Sequence, residues 1–142
     1  MVNNIIDGIS LRLDEVFGET CRISSEKVDQ GLKEPYFLIF VISPSRKPII
    51  GQRHSAKNNF DIHYFPKEHD NRAEMTNIGE ALYDALEYIK LLNGDLVKAT
   101  NMRYEIIDGV LHFFINYNMT LIKKQEKDYM EELLPPDINL KG

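Results

Sequence analysis

A chain of 142 residues, 43% apolar and 27% charged, has the size and composition of one globular domain. Its net charge of −5 argues against a protein built to grip a phosphate backbone, because like charge weakens adhesion. The single cysteine, Cys21, excludes an intrachain disulfide and a cysteine-based zinc site.

Residues Asn3 to Phe17 predict an amphipathic helix, with Ile5, Ile6, Ile9, Leu13, Val16 and Phe17 at three- and four-residue spacing. Asn3 or Asn4 is the expected cap, and Gly18 the expected stop. Cys21 to Val28 alternates and predicts a first strand, broken by Gln30-Gly31. Tyr36 to Ile42 is a nearly continuous apolar run, as expected of a strand covered on both faces, and Pro44 is expected to end it. Ser43 to Lys47 then reads as a turn, and Pro48 to Ser55 as a strand or extended loop in which Gly51 permits a bulge. Asn58-Asn59 reads as a second turn before a strand over Phe60 to Phe65.

After a charged loop, Asp70 or Asn71 is the expected cap of a second helix, with Glu74 in its first turn. Met75, Ile78, Leu82, Ala85 or Leu86, Ile89 and Leu92 extend that helix to Asn93-Gly94, and Gly79 within it is expected to mark a close contact. Met102 to Ile122 carries the strongest local signal in the chain. Asp108-Gly109 between two apolar runs calls for a type I′ hairpin, which needs positive φ at both central residues. Past the turn, Leu111, Phe113, Ile115, Tyr117, Met119 and Leu121 form an apolar face, while His112, Phe114, Asn116, Asn118 and Thr120 sit on a mixed one. The expected fold class is α+β, a mostly antiparallel sheet with two amphipathic helices on one face and a long C-terminal hairpin. The expected division is a domain over residues 1–124 and a tail over residues 125–142. The tail's Leu133, Leu134, Ile138 and Leu140 have no evident place in the core and suit docking on a neighbouring subunit. No apolar run reaches the length of a membrane span and the first ten residues lack a basic segment, so the expectation is an unexported, cytosolic protein without membrane contact.

Little in the chain points to catalysis. No nucleophile elbow, glycine-rich phosphate loop or HExxH is present, and Glu131-Glu132 lies on a charged tail that water would solvate. Asp61 and His63, two apart on one strand face, with His69-Asp70 in the next loop, offer the ligands of a metal-dependent hydrolase; the plainer reading is a solvated strand face, and no catalytic residue, metal or cofactor is assigned. Arg46, Lys47, Arg53, His54 and Lys57 make the local positive patch, interleaved with Ile49 and Ile50. A solvated loop and a partner contact both fit it, since isoleucine beside arginine suits an interface.

The blocks EKVDQGLKEPYFLIF, GQRH, FDIHYFP, EALYDALEYI and MRYEIIDGVLHFFINYNM together resemble the tail terminator (tail completion) proteins of long-tailed phages and phage-derived tail particles of Gram-positive bacteria. The resemblance covers about residues 1–122. It implies an α+β protomer in a closed homo-hexameric ring on the last ring of tail-tube protein. That ring stops tube growth and offers a surface to the neck or head–tail connector; in contractile tails it also anchors the sheath. It implies no enzyme activity and no cofactor, DNA only as passing cargo, and a place in a virion or headless tail particle assembled in the bacterial cytoplasm. The alternatives are a neck or connector component of the same particle, a monomeric binding module, and the hydrolase above.

Overall fold

The structure, a computed structural model, describes residues 2–25 and 33–122. In chain order it places α1 at Val2–Phe17, β1 at Arg22–Ser24, β2 at Tyr36–Pro48, β3 at Arg53–Phe65, α2 at Arg72–Ala85, β4 at Tyr88–Lys90, β5 at Leu96–Lys98, β6 at Asn101–Ile107 and β7 at Val110–Ile122. Five strands form one sheet in the order β1-β2-β3-β7-β6, and β4 and β5 form a separate pair. β6 and β7 are antiparallel, with Tyr104 opposite Phe113 and Ile107 opposite Val110, while β1 runs parallel to β2. This is the expected α+β class with a mostly antiparallel sheet.

The hairpin between β6 and β7 turns as its sequence requires, with φ of 51° at Asp108 and 76° at Gly109. Its register sets the alternation along β7: Leu111, Phe113, Ile115 and Tyr117 are fully buried, while His112, Phe114 and Asn116 stay half-buried on the opposite face. β3 repeats the pattern, burying Phe60, Ile62 and Tyr64 and leaving Asp61, His63 and Phe65 half-buried. The buried face packs with Phe37 and Ile39 of β2 against Ile5, Ile9 and Leu13 of α1, Met75 and Leu82 of α2, and Ile89 and Val97 of the small hairpin. Both helices therefore cover one face of the sheet.

Polar ties fix the layers. Arg12 on α1 donates from Nε to the Ala85 carbonyl at 2.8 Å, satisfying an acceptor left over at the end of α2. Tyr117 Oη donates to the Leu86 carbonyl at 2.6 Å, and Asn58, itself buried, donates from Nδ2 to the Tyr117 carbonyl at 3.0 Å. Asn71 caps α2, its side chain accepting from the Glu74 N–H at 3.0 Å.

Several expectations need correction. α1 begins at Val2, so Asn3 and Asn4 lie inside it, and Val16 is 44% exposed rather than on the buried stripe. β1 is Arg22–Ser24, without Cys21, and Glu26 to Val28 of the expected strand lie outside the described residues. Pro44 does not end β2, and Ser43 to Lys47 is strand, not turn. β1 pairs with β2 only at Tyr36–Leu38, so farther along no strand flanks that edge among the described residues, and a missing N–H costs no ladder bond there. The same geometry explains why only Tyr36–Ile39 is buried and Val41 and Ile42 are exposed. Asn58-Asn59 lies inside β3, where Asn58 is held by the bond to Tyr117. α2 stops at Ala85, and the stretch expected to continue it forms the β4–β5 hairpin around Asn93, whose side chain accepts from the Asp95 N–H at 2.9 Å.

The chain divides into two compact units. The larger holds the helices and the sheet core described above. The other contains Arg46–Ala56. There the chain reverses between β2 and β3, with the Ile49 N–H donating to the Arg53 carbonyl at 2.8 Å and the Arg53 N–H to the Ile50 carbonyl at 3.1 Å. Gly51 sits in this turn at φ 62°, not in a strand bulge.

Candidate functional site

Side chains two apart on a strand share a face. With Phe60, Ile62 and Tyr64 buried, Asp61 and His63 must project from the other side of β3, and with Leu111 and Phe113 buried, so must His112 of the adjacent β7. The three meet there. Asp61 Oδ2 lies 2.9 Å from His63 Nε2 and 3.1 Å from His112 Nδ1, and the imidazole centroids are 4.1 Å apart. Burial alone would raise the Asp61 carboxyl's pKa, but the hydrogen bonds and charges of the two histidines outweigh it and hold it below the usual carboxylate range. An ionised carboxylate only accepts, so both rings direct an N–H at Oδ2. Oδ1 of the same carboxylate is buried and has no hydrogen-bond partner among the described residues.

Aromatic side chains frame this cluster. Phe40 lies 4.5 Å from His63 between ring centroids, Phe114 stacks on His112 at 6.1 Å, and Phe65 stacks on Tyr36 at 4.4 Å. Arg103 of β6 sits 4.3 Å over the Phe114 ring and pairs with Glu105. The side chains of Asp61, His63 and His112 remain 14%, 21% and 17% exposed, so the cluster is shielded but reachable from solvent. Two imidazoles and a carboxylate can chelate a cation or relay a proton.

The sequence supplies Asp61 and His63 of this trio but pairs them with His69, which lies outside it. His69 is 90% exposed and sits 3.4 Å from Asp70. His112 takes its place, a residue 51 positions from Asp61 that only the β3–β7 adjacency brings near. The one available signal is its position on the mixed face of β7.

At the start of α2, Glu74 makes a second polar knot. Its carboxylate accepts from Tyr64 Oη and the Lys67 N–H, both at 2.6 Å, and from the Glu68 N–H at 3.3 Å. Burial pushes the Glu74 carboxyl up, but these bonds bring it below its ordinary value, while burial and the bond to Glu74 push the Tyr64 hydroxyl far up. The knot ties β3 to α2.

Arg46, Lys47, Ile49, Ile50 and Arg53 are all exposed, Ile49 at 51% and Ile50 at 78%. Leu133, Leu134, Ile138 and Leu140 lie outside the described residues. No helix among the described residues is long and apolar enough to cross a membrane.

A protein-family model described as phage tail terminator protein matches residues 4–129, which takes in α1 from Asn4 onward, α2 and all seven strands of the described residues. No curated protein matches the chain.

Proposed function

Because the chain belongs to the phage tail terminator family and is therefore a structural protein of the phage tail, we propose that it closes into a homo-hexameric ring on the last ring of tail-tube protein and stops the tube's growth. The family match over residues 4–129 carries this reading. The ring presents its other side to the neck or connector and, in a contractile tail, holds the top of the sheath. Three features suit such a part. β6 ends the sheet with β7 as its sole neighbour among the described residues, an edge onto which another chain can add a strand. Ile49 and Ile50 are bare apolar side chains beside Arg46, Lys47 and Arg53, a composition suited to a subunit contact. A net charge of −5 suits a lumen through which DNA slides without sticking. The leucines and isoleucine of the tail, Leu133, Leu134, Ile138 and Leu140, dock on the adjacent subunit, and the ring has no enzymatic role.

The test is assembly. Mixed with polymerising tube protein, the chain is expected to shorten the tubes and to appear by electron microscopy as a ring at one end. Tubes that grow to the same length with and without it would defeat the capping role, and a ring found only on the connector side would move the chain to the neck.

A further inference from the structure

We propose that Asp61, His63 and His112 bind one divalent transition-metal ion, with zinc the best fit. The donor set is two imidazole nitrogens and a carboxylate oxygen, the borderline mixture that zinc, cobalt and nickel take, whereas magnesium and calcium prefer all-oxygen shells. The spacing is already close to what an ion needs. The three donor atoms lie within 4.8 Å of one another, and two of the separations are 2.9 and 3.1 Å. Metal–ligand bonds of about 2.0–2.1 Å place the donors of a tetrahedron roughly 3.3 Å apart, close to both carboxylate–imidazole separations.

The scaffold favours a fixed site. All three side chains stand on paired strands, and the residues that alternate with them, Phe60, Ile62, Leu111 and Phe113, are all fully buried. A site on packed strands holds its geometry better than one on loops. Neither histidine needs to leave its place. Each already points a ring nitrogen at the carboxylate, and moving the proton to the other ring nitrogen presents a lone pair there at no net loss of a proton. Asp61 Oδ1, buried and without a hydrogen-bond partner among the described residues, leaves the carboxylate less than fully satisfied by the two histidines, which favours a further charge partner at Oδ2. The cluster's partial exposure leaves the fourth position for water.

The plainer account is that the trio is a hydrogen-bond cluster that satisfies a half-buried aspartate and nothing more. Zinc titration separates the two. Tag-free, chelator-stripped full-length protein is titrated with zinc chloride by calorimetry. The expected result is saturable binding of one equivalent per chain, unaffected by excess magnesium, with cobalt giving the absorption of a tetrahedral nitrogen–oxygen site. In wild-type protein, zinc is expected to shift the imidazole NMR signals of His63 and His112 and to leave those of His69 in place, a readout that needs no variant to fold. Asp61→Asn is expected to weaken binding more than about tenfold. His63→Ala and His112→Ala, checked by circular dichroism, are expected to abolish it, and His69→Ala to change nothing. Absence of saturable zinc binding by the wild type overturns the proposal, as does undiminished binding by a folded His63→Ala/His112→Ala variant or a zinc-induced shift of His69 alone.

Discussion

Glu74 shows how one side chain can couple fold to pH. It accepts from Tyr64, Lys67 and Glu68, and these bonds hold its carboxyl below the ordinary value of 4.5 despite burial. A carboxyl with a depressed folded pKa contributes stability that is fully present above its unfolded pKa and is lost as pH falls through the folded one. The melting temperature is therefore expected to be flat above about pH 5 and to fall below about pH 4.5. Asp61, also held low, adds to the same acid limb. Glu74→Gln is expected to cost about 1–2 kcal/mol at neutral pH, because the amide keeps one accepting oxygen and turns an NH2 toward the donors that the other carboxylate oxygen served, and to soften the acid fall in thermal melts. An unchanged acid limb in that variant would show that the knot is not what titrates. Sequence reading found Glu74 as a first-turn acid, a local property, but its donors are the Tyr64 hydroxyl of β3 and two N–H groups of the loop before α2, which only the fold brings to it. The site was legible to the same depth. Asp61 and His63 are two apart on one strand and visible in one dimension, whereas His112 required knowing which strands are neighbours.

Elements were most legible where local chemistry and global packing agree. The Asp108-Gly109 turn is one such place, where both residues take the positive φ that the dipeptide calls for. Gly109→Val puts a β-branched residue at φ 76° and brings a Cβ within 2.5 Å of Asp70 Oδ1, so it is expected to lower the melting temperature by several degrees, about 2 kcal/mol. Gly79 makes the complementary case. Helix propensity alone says that alanine should stabilise α2 by about 1 kcal/mol. A Cβ there would meet the Tyr104 ring at 2.9 Å, with the near end of the ring as close as 3.0 Å, and Tyr104 Oη is held by Glu80 at 3.0 Å. Gly79→Ala is accordingly expected to destabilise, and Gly79→Ala in a Tyr104→Ala background to stabilise relative to Tyr104→Ala alone; denaturant unfolding of the four chains tests the sign change. The end of α2 was not legible, because Leu86, Ile89 and Leu92 fit a helical stripe as well as they fit a hairpin. The structure separates these readings through Leu92, 70% exposed where a helix stripe would bury it. Pro44 misled for a related reason. A proline breaks a strand only where its N–H would have had a partner, and whether an edge is paired is not written in the local sequence.

Scale also decides how assembly can be tested apart from folding. The larger unit carries its core on one face of a sheet under two helices, and in the other unit Ile49 and Ile50 are exposed apolar side chains. Substitutions at exposed positions away from caps, strain and buried networks change stability by about 0.5 kcal/mol or less. At a subunit contact, loss of an apolar anchor costs about 1–2 kcal/mol or more of association energy, and a ring repeats that loss at every joint. Ile49→Asp combined with Ile50→Asp is therefore expected to leave the melting temperature of the isolated chain within about 2 °C of wild type, given the few degrees that each kcal/mol moves a chain of this size. The same variant is expected to shift the mass seen by light scattering from ring toward monomer, and to let tail tubes grow past their normal length. A variant that melts early would put these isoleucines in the fold rather than at a joint. A variant that still forms rings and still caps tubes would locate the joint elsewhere, with the outer edge of β6 the next surface to break.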